Sequence, residues 1–243
     1  MKEDISIILC DRQAVIFHAK ETVLPGEIKM MKALRRVWNV LFSAVIFWKW
    51  TQMIRGSDGS FASHGLKSLK WFTVLSNLLA AVACIAWLIL TASDDERKSR
   101  LAETIKFVAA VSVALTLVTV MFFLGPVFGY ETMFTGPNLW FHLLVPVLAG
   151  LEFMLLNREP MHARQQRLAT VPMLLYGIGY IGNNAVNGIG EWPHTNDWYA
   201  FLSWGWAAGI GIFAAIIAVT RLLASLLAAG NRIFSKLLHA DHA

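Results

Sequence analysis

The sequence predicts an all-α, polytopic membrane protein with six transmembrane helices and both termini in the cytoplasm. Of its 243 residues, 56% are hydrophobic and only 15% are charged, whereas a soluble domain usually carries about 25% charged residues. The apolar residues gather in segments long enough to cross a bilayer, and basic residues flank these segments. We therefore interpret the net charge of +5 as a topology signal and not as a surface for nucleic acid.

The predicted spans follow from the helix length that a bilayer requires. A hydrocarbon core about 30 Å thick needs roughly 20 residues of helix. The first span is the weakest, because Lys49 interrupts it, but a lysine near a helix end extends its ammonium to the headgroups, and Trp48 and Trp50 favour the same level. The segments predicted to cross the membrane are about 37–54, 71–92, 107–128, 138–157, 171–187 and 199–220.

The positions of lysine and arginine set the orientation of these spans. The basic residues on the predicted cytoplasmic side are Lys29, Lys32, Arg35, Arg36, Arg97, Lys98, Arg100, Lys106, Arg158, Arg164, Arg167, Arg221, Arg232 and Lys236. The opposite loops contain Arg55, Lys67 and Lys70, and none in 129–137 or 188–198. This alternation requires an even number of spans, so it supports the weak first one.

The chain divides into three predicted regions. Residues 1–28 form a polar N-terminal extension, 29–225 the six-helix transmembrane domain, and 226–243 a basic amphipathic C-terminal tail that continues the last helix or lies on the inner leaflet. A short flexible loop is predicted at 56–63. No cysteine–histidine spacing resembles a metal site and no glycine-rich phosphate loop follows a strand, so we expect no cofactor, no metal and no nucleic-acid partner.

Three predicted spans carry polar residues at one depth near the outer face. The orientation places Thr73 near the outer end of the second span and His142 about one turn below the outer end of the fourth. On the second span, Ser76 and Asn77 share the face of Thr73. The fifth span presents a polar face that consists of Tyr176, Tyr180, Asn183, Asn184 and Asn187.

This combination of groups suits acyl transfer to water. A threonine hydroxyl is a weak nucleophile unless a base takes its proton, and a neutral imidazole such as that of His142 is the usual base near neutral pH. Side-chain amides of Asn77, Asn183 and Asn184 can donate hydrogen bonds to an oxyanion. The expected site therefore has Thr73 and His142 as catalytic residues, supported by Ser76, Asn77, Tyr180, Asn183 and Asn184.

Structural interpretations of the same residues stay open. Single serines and asparagines in membrane helices more often bond their own backbone or a neighbouring helix, and the tyrosines suit an interfacial belt. A non-catalytic cavity that binds or transports a lipid or a small solute is the alternative function. Glu152 lies roughly 15 Å deeper than His142, and we expect it to pair with a basic residue of the inner rim, such as Lys106.

At these residues the chain resembles the FAR-17a/AIG1-like membrane proteins, which include androgen-induced and androgen-dependent proteins of animals and bacterial Pr6Pr-like relatives. The matching segments are Trp71-Phe-Thr-Val-Leu-Ser-Asn-Leu-Leu79, His142-Leu-Leu-Val-Pro146 with Glu152, Gly179-Tyr-Ile181 and Trp198-Tyr-Ala-Phe-Leu202. The chain departs from the family at Ala200, where a proline is usual, and the animal proteins space the histidine and the proline of the second segment one residue further apart.

The resemblance implies a function and a location. It implies six helices with cytoplasmic termini, a multi-pass protein of the bacterial plasma membrane, and membrane lipids as its surroundings. The expected substrate is a lipid ester of the type in which a fatty acid esterifies a hydroxy fatty acid. In the animal members of this family one threonine and one histidine are essential, and the matching positions here are Thr73 and His142.

Overall fold

The computed structural model describes residues 25–55, 65–157, 159–191 and 194–240, and within these ranges it contains helices and no strand. The all-α prediction is therefore confirmed. The principal helices are α1 (Pro25–Arg55), α2 (Phe72–Leu90), α3 (Glu96–Phe128), α4 (Tyr130–Met133), α5 (Pro137–Leu156), α6 (Ala163–Leu168), α7 (Val171–Asn187) and α8 (Trp206–Ala240), with a short 3-10 helix at Gly65–Lys70.

Four helices among the described residues are long and apolar enough to cross a membrane: α2, α3, α5 and α8 over Trp206–Lys236. They indicate a multi-pass membrane protein. Helix α1 covers the predicted first span and is 31 residues long, and α7 has the bounds predicted for the fifth span with 17 residues. Neither is one of the four.

The structure corrects the start of the last predicted span. Residues 199–205 form turns, and α8 begins only at Trp206. The φ angle is +58° at Ala200 and +88° at Gly205. Since a right-handed helix requires negative φ, the chain cannot be helical at these two residues. At its other end α8 continues beyond residue 220 into the predicted tail. The predicted extension 1–28, apart from its last four residues, and the predicted loop 56–63 lie outside the described residues.

Helix α3 begins earlier than predicted, because Asp95 caps it. The Asp95 carboxylate accepts hydrogen bonds from the backbone N–H groups of Arg97 and Lys98 at 2.9 and 3.4 Å. An aspartate at this position satisfies N–H groups that have no partner within the helix. The charged first turns of α3 thus precede its apolar stretch.

Helices α3 and α5 each contain a π turn followed by a proline. The turns are Val120–Leu124 and Trp140–Leu144, and each is closed by a hydrogen bond from residue i to the carbonyl of i−5. Pro126 and Pro146 follow. A proline has no N–H group and its ring clashes with the carbonyl four residues back, which explains the wider turn. In α5 that carbonyl belongs to His142, so the proline determines the turn that holds the histidine.

The core lies between α2, α3 and α5, with α1 packed on α2, and α8 packed on α3 and α5. Helix α7 lies outside this core against α2, α3 and α8. The functional groups discussed below lie at the end of the core where α2 begins.

Candidate active site

A small cavity of about 30 Å³ brings Thr73 and His142 together. Thr73 is the second residue of α2, and His142 lies in the π turn of α5. Both are buried. The other residues that line this Thr73–His142 cavity are Met53, Trp71, Val74, Leu124, Phe128, Met133, Asn138 and Tyr199.

Thr73 and His142 share the cavity without a direct hydrogen bond between the two side chains, both of which the structure describes. A cavity of this size holds one or two water molecules or one small functional group. Catalytic hydrogen bonds are often long before substrate binds. The cavity therefore accommodates the reacting group of a substrate and little more.

The ring of His142 is oriented by a backbone carbonyl. Its Nδ1 lies 2.7 Å from the Met133 carbonyl oxygen. A carbonyl can only accept a hydrogen bond, so Nδ1 carries the proton and donates it. In the neutral ring this leaves the lone pair on Nε2. The contact thus selects the tautomer in which Nε2 can take a proton, as a general base must.

Thr73 lies at the N-terminal end of α2, where the first N–H groups have no partner within the helix. Trp71 occupies the cap position and makes no side-chain cap. Instead, the Phe72 N–H donates to the hydroxyl oxygen of Tyr199 at 3.0 Å. The positive end of the helix dipole therefore faces the threonine and favours negative charge there.

Asn77 and Ser76 connect the helices and do not line the cavity. The Asn77 amide donates to the carbonyl oxygens of Thr73 at 2.7 Å and of Phe141 at 3.1 Å. The Ser76 hydroxyl lies 3.0 Å from the Thr73 carbonyl oxygen and 2.9 Å from the Thr116 hydroxyl. Asn77 thus fixes the turn of Thr73 against the residue before His142. Both residues therefore bond their own backbone and a neighbouring helix, as the structural interpretation of the sequence predicts.

Two of the supporting residues predicted on α7, Tyr180 and Asn184, bind the loop that precedes α8. Tyr180 is buried and its hydroxyl donates to the Asp197 carboxylate. The Asn184 amide donates to the carbonyl oxygens of Tyr180 and Asn196 at 2.9 and 3.0 Å. Asn183 accepts a hydrogen bond of 2.9 Å from Asn187 at the exposed surface. None of these side chains lines the Thr73–His142 cavity.

The predicted residues of α7 miss the cavity because α7 lies further along the bundle than the apolar pattern predicts. The Tyr176 hydroxyl donates to the Lys70 carbonyl oxygen at 2.7 Å, just before α2 begins. Tyr176 is therefore level with Thr73. Asn183 and Asn184 follow seven and eight residues later, which places them roughly 10–12 Å beyond that level.

Three residues near the site were not predicted as functional. Tyr199 and Asn138 line the cavity, and Asn138 donates to the Thr132 carbonyl oxygen at 3.1 Å. Asp197 is buried and accepts hydrogen bonds from Tyr180 and from the Leu202 N–H, the latter at 2.9 Å. The signal in the sequence is a carboxylate directly before the aromatic segment 198–202, but the apolar pattern predicts a membrane helix from residue 199 onwards.

A second polar region lies at the opposite end of the core. The predicted pairing of Glu152 is confirmed, with Lys106 Nζ 2.5 Å from its Oε2. Arg35 makes two contacts of 2.6 and 2.7 Å with Glu103 and one of 3.4 Å with Glu152. All four residues, which we call the charge cluster, are buried, and their formal charges cancel.

A larger cavity of about 310 Å³ adjoins the charge cluster. Its walls carry side chains of both signs, including Lys32, Arg36, Asp94 and Glu159. Its described lining includes the hydroxyl groups of Thr91, Ser93 and Ser99 but no histidine that could act as their base, so we place the candidate chemistry in the smaller cavity.

No family model, curated protein or solved structure matches this chain. A function is therefore inferred from the Thr73–His142 cavity itself.

Proposed function

We propose that the protein is an intramembrane lipid-ester hydrolase in which Thr73 is the nucleophile and His142 the general base. One observation carries the proposal. A buried threonine at a helix N-terminus and a buried histidine with its Nε2 lone pair available border the same small cavity. A hydroxyl nucleophile needs a neighbouring base of this kind to take its proton.

The reaction proceeds through an acyl-threonyl intermediate. Thr73 Oγ1 attacks the ester carbonyl carbon while His142 Nε2 takes the hydroxyl proton, and the carbonyl electron pair moves onto oxygen. The tetrahedral intermediate collapses, the C–O bond to the alcohol breaks, and His142 returns the proton to the leaving alcohol. Water then attacks the threonyl ester with His142 as base, which releases the carboxylic acid and restores Thr73.

Apolar surroundings support a lipid ester as substrate. A second small cavity, of about 20 Å³, is also lined by Thr73, together with Phe72 and Tyr176. The same two aromatic residues line an apolar groove of about 230 Å³ between α2 and α7, whose other walls include Leu75 and Leu79. An acyl chain in this groove would approach Thr73 from the hydrocarbon. The resemblance to FAR-17a/AIG1-like proteins favours esters of hydroxy fatty acids.

The proposal includes six spans, with α1 and α7 as the additional two and both termini cytoplasmic. Arg35 contacts the carbonyl oxygen of Leu156 near the end of α5, and Lys49 lies over the ring of Trp140 near its start, at 5.2 Å. Helix α1 thus runs alongside nearly the whole of α5. Because α5 ends beside the charge cluster and Tyr199 lies at the Thr73 end, the chain between them must return across the bundle, and α7 is the long helix of that stretch.

A fluorophosphonate probe tests the proposal. The purified protein should be labelled covalently, and T73A and H142A should abolish labelling while the thermal unfolding temperature stays within a few degrees of wild type. The matched control is T220A, since Thr220 is also buried in a helix and bonds only its own turn, to the Ile216 carbonyl oxygen at 2.7 Å. Mass spectrometry should place the adduct on Thr73.

Full labelling of both T73A and H142A would overturn the hydrolase proposal. It would favour the alternative of a non-catalytic protein that binds a lipid or a small solute, an interpretation consistent with the lack of a direct hydrogen bond between these two described side chains.

A further inference from the structure

Tyr199 places a phenol beside the nucleophile. It lines both small cavities that Thr73 lines, and it is 5% exposed. In the cavity shared with His142, the remaining polar side-chain groups are those of Thr73, Asn138 and Trp71. Since Thr73 attacks and His142 takes its proton, Tyr199 is the hydroxyl left to act on the substrate.

The hydrogen bonds of the Tyr199 hydroxyl leave its proton to be donated. A backbone N–H group can only donate, so the phenol oxygen accepts from Phe72 at 3.0 Å. A hydroxyl that accepts a hydrogen bond becomes a stronger donor, and here the N–H group belongs to the positive end of the α2 dipole. The phenol thereby extends the field of the helix N-terminus into the cavity.

The ring of Tyr199 is held independently of its hydroxyl. It stacks on Phe201 with centroids 5.1 Å apart and meets the edge of Trp71 at 5.1 Å. Its backbone N–H donates to the Tyr180 hydroxyl at 3.2 Å. Removal of the hydroxyl alone should therefore leave the ring in place.

Resting on the proposed hydrolase function, we propose that Tyr199 is a catalytic residue whose O–H donates a hydrogen bond to the oxyanion formed when Thr73 attacks the ester. The proton stays on the phenol oxygen throughout and no bond to it breaks. The donor stabilises the charge that develops on the carbonyl oxygen and not the uncharged ester, so it lowers the barrier without tightening substrate binding.

The test compares Y199F with wild type in the hydrolysis of 4-nitrophenyl octanoate by the full-length protein in detergent. Loss of one oxyanion donor should lower kcat by about 10²–10³-fold, with KM nearly unchanged. The matched control is Y130F, because the Tyr130 hydroxyl bonds the Met121 carbonyl oxygen at 2.8 Å at the exposed surface. This control should retain wild-type kcat.

A second measurement separates catalysis from a structural role. Replacing Tyr199 with 3-fluorotyrosine keeps the hydroxyl and increases its acidity. Below the pH at which this phenol ionises, an oxyanion donor should raise kcat by about two- to threefold, whereas a hydroxyl that only caps α2 should leave kcat unchanged. The same replacement at Tyr130 is the control.

The outcomes distinguish the two proposals. If T73A is inactive while Y199F keeps wild-type kcat, or if the fluorinated phenol changes nothing, the role of Tyr199 is overturned and the hydrolase proposal stands. If T73A hydrolyses the ester as fast as wild type, the hydrolase proposal is overturned, and the role of Tyr199 with it.

Discussion

Ala200 is the one non-glycine residue of the described chain with a positive φ, at +58°. It follows Tyr199, and its N–H donates to the Asp197 carbonyl oxygen at 2.8 Å in a tight turn. A left-handed conformation costs an L-residue about 1–2 kcal/mol. Proline, which the resemblance would place here, has φ fixed near −65°. The aromatic segment that contains Tyr199 is therefore positioned by a turn that a proline at residue 200 could not form.

Replacing Ala200 tests this conformation. A200G should raise the free energy of unfolding by about 0.5–1 kcal/mol, because glycine adopts positive φ without strain and the exposed Ala200 methyl group contributes little packing. A200P should be destabilising. Thermal unfolding in detergent, followed by tryptophan fluorescence, measures both. Equal stability of A200G and wild type would contradict the strained turn.

At the scale of the helices, the charge cluster joins α1, α3 and α5. Buried ion pairs gain from attraction what they lose in desolvation, so their net contribution to stability is small. Removal of one partner is costly, since it leaves a buried charge without a counter-ion. Trp87 adds α2 to the same contacts, because its indole N–H donates to Glu103 at 2.9 Å. The cluster therefore specifies which helices lie together.

The substitution E152Q should lower the free energy of unfolding by about 3–5 kcal/mol. Lys106 would lose its counter-ion at 2.5 Å and keep only the neutral Asn39 and Cys84 side chains as hydrogen-bond partners. The double variant K106M/E152Q should recover most of the loss, since no unpaired lysine remains. The control is E96Q in the exposed Glu96–Arg100 pair, which should change stability by less than about 1 kcal/mol. A double variant less stable than E152Q would argue against the charge-pairing explanation.

At the scale of the whole molecule, the charge distribution predicts the orientation. Introducing single cysteines after replacing Cys10 and Cys84 tests it with a membrane-impermeant maleimide. S93C, between α2 and α3, should react only after the cells are opened, because the proposed topology places it on the cytoplasmic side. T135C, before α5, should react in intact cells. Both positions are exposed, so both should react in lysed membranes. The reverse pattern in intact cells would overturn the proposed topology.

The sequence predicts much of this architecture because its strongest signals extend over many residues. Apolar length located the helices, and lysine and arginine positions placed Thr73 and His142 at one level. The pattern could not reveal that α7 lies further along the bundle, since Asn183 and Asn184 keep the same periodicity at any depth. Nor could it reveal Tyr199, because the turn at Ala200 depends on Asp197 and Tyr180, contacts that no helical spacing encodes.

The cap that Tyr199 places on α2 joins residues 127 positions apart in the chain, and this separation has a consequence for biosynthesis. During synthesis, Thr73 and His142 enter the membrane before Tyr199 is translated. A nascent chain that ends within α7 would contain Thr73 and His142 without the phenol that completes the helix end. If these residues act as proposed above, such a chain would hydrolyse lipid esters more slowly than the finished protein.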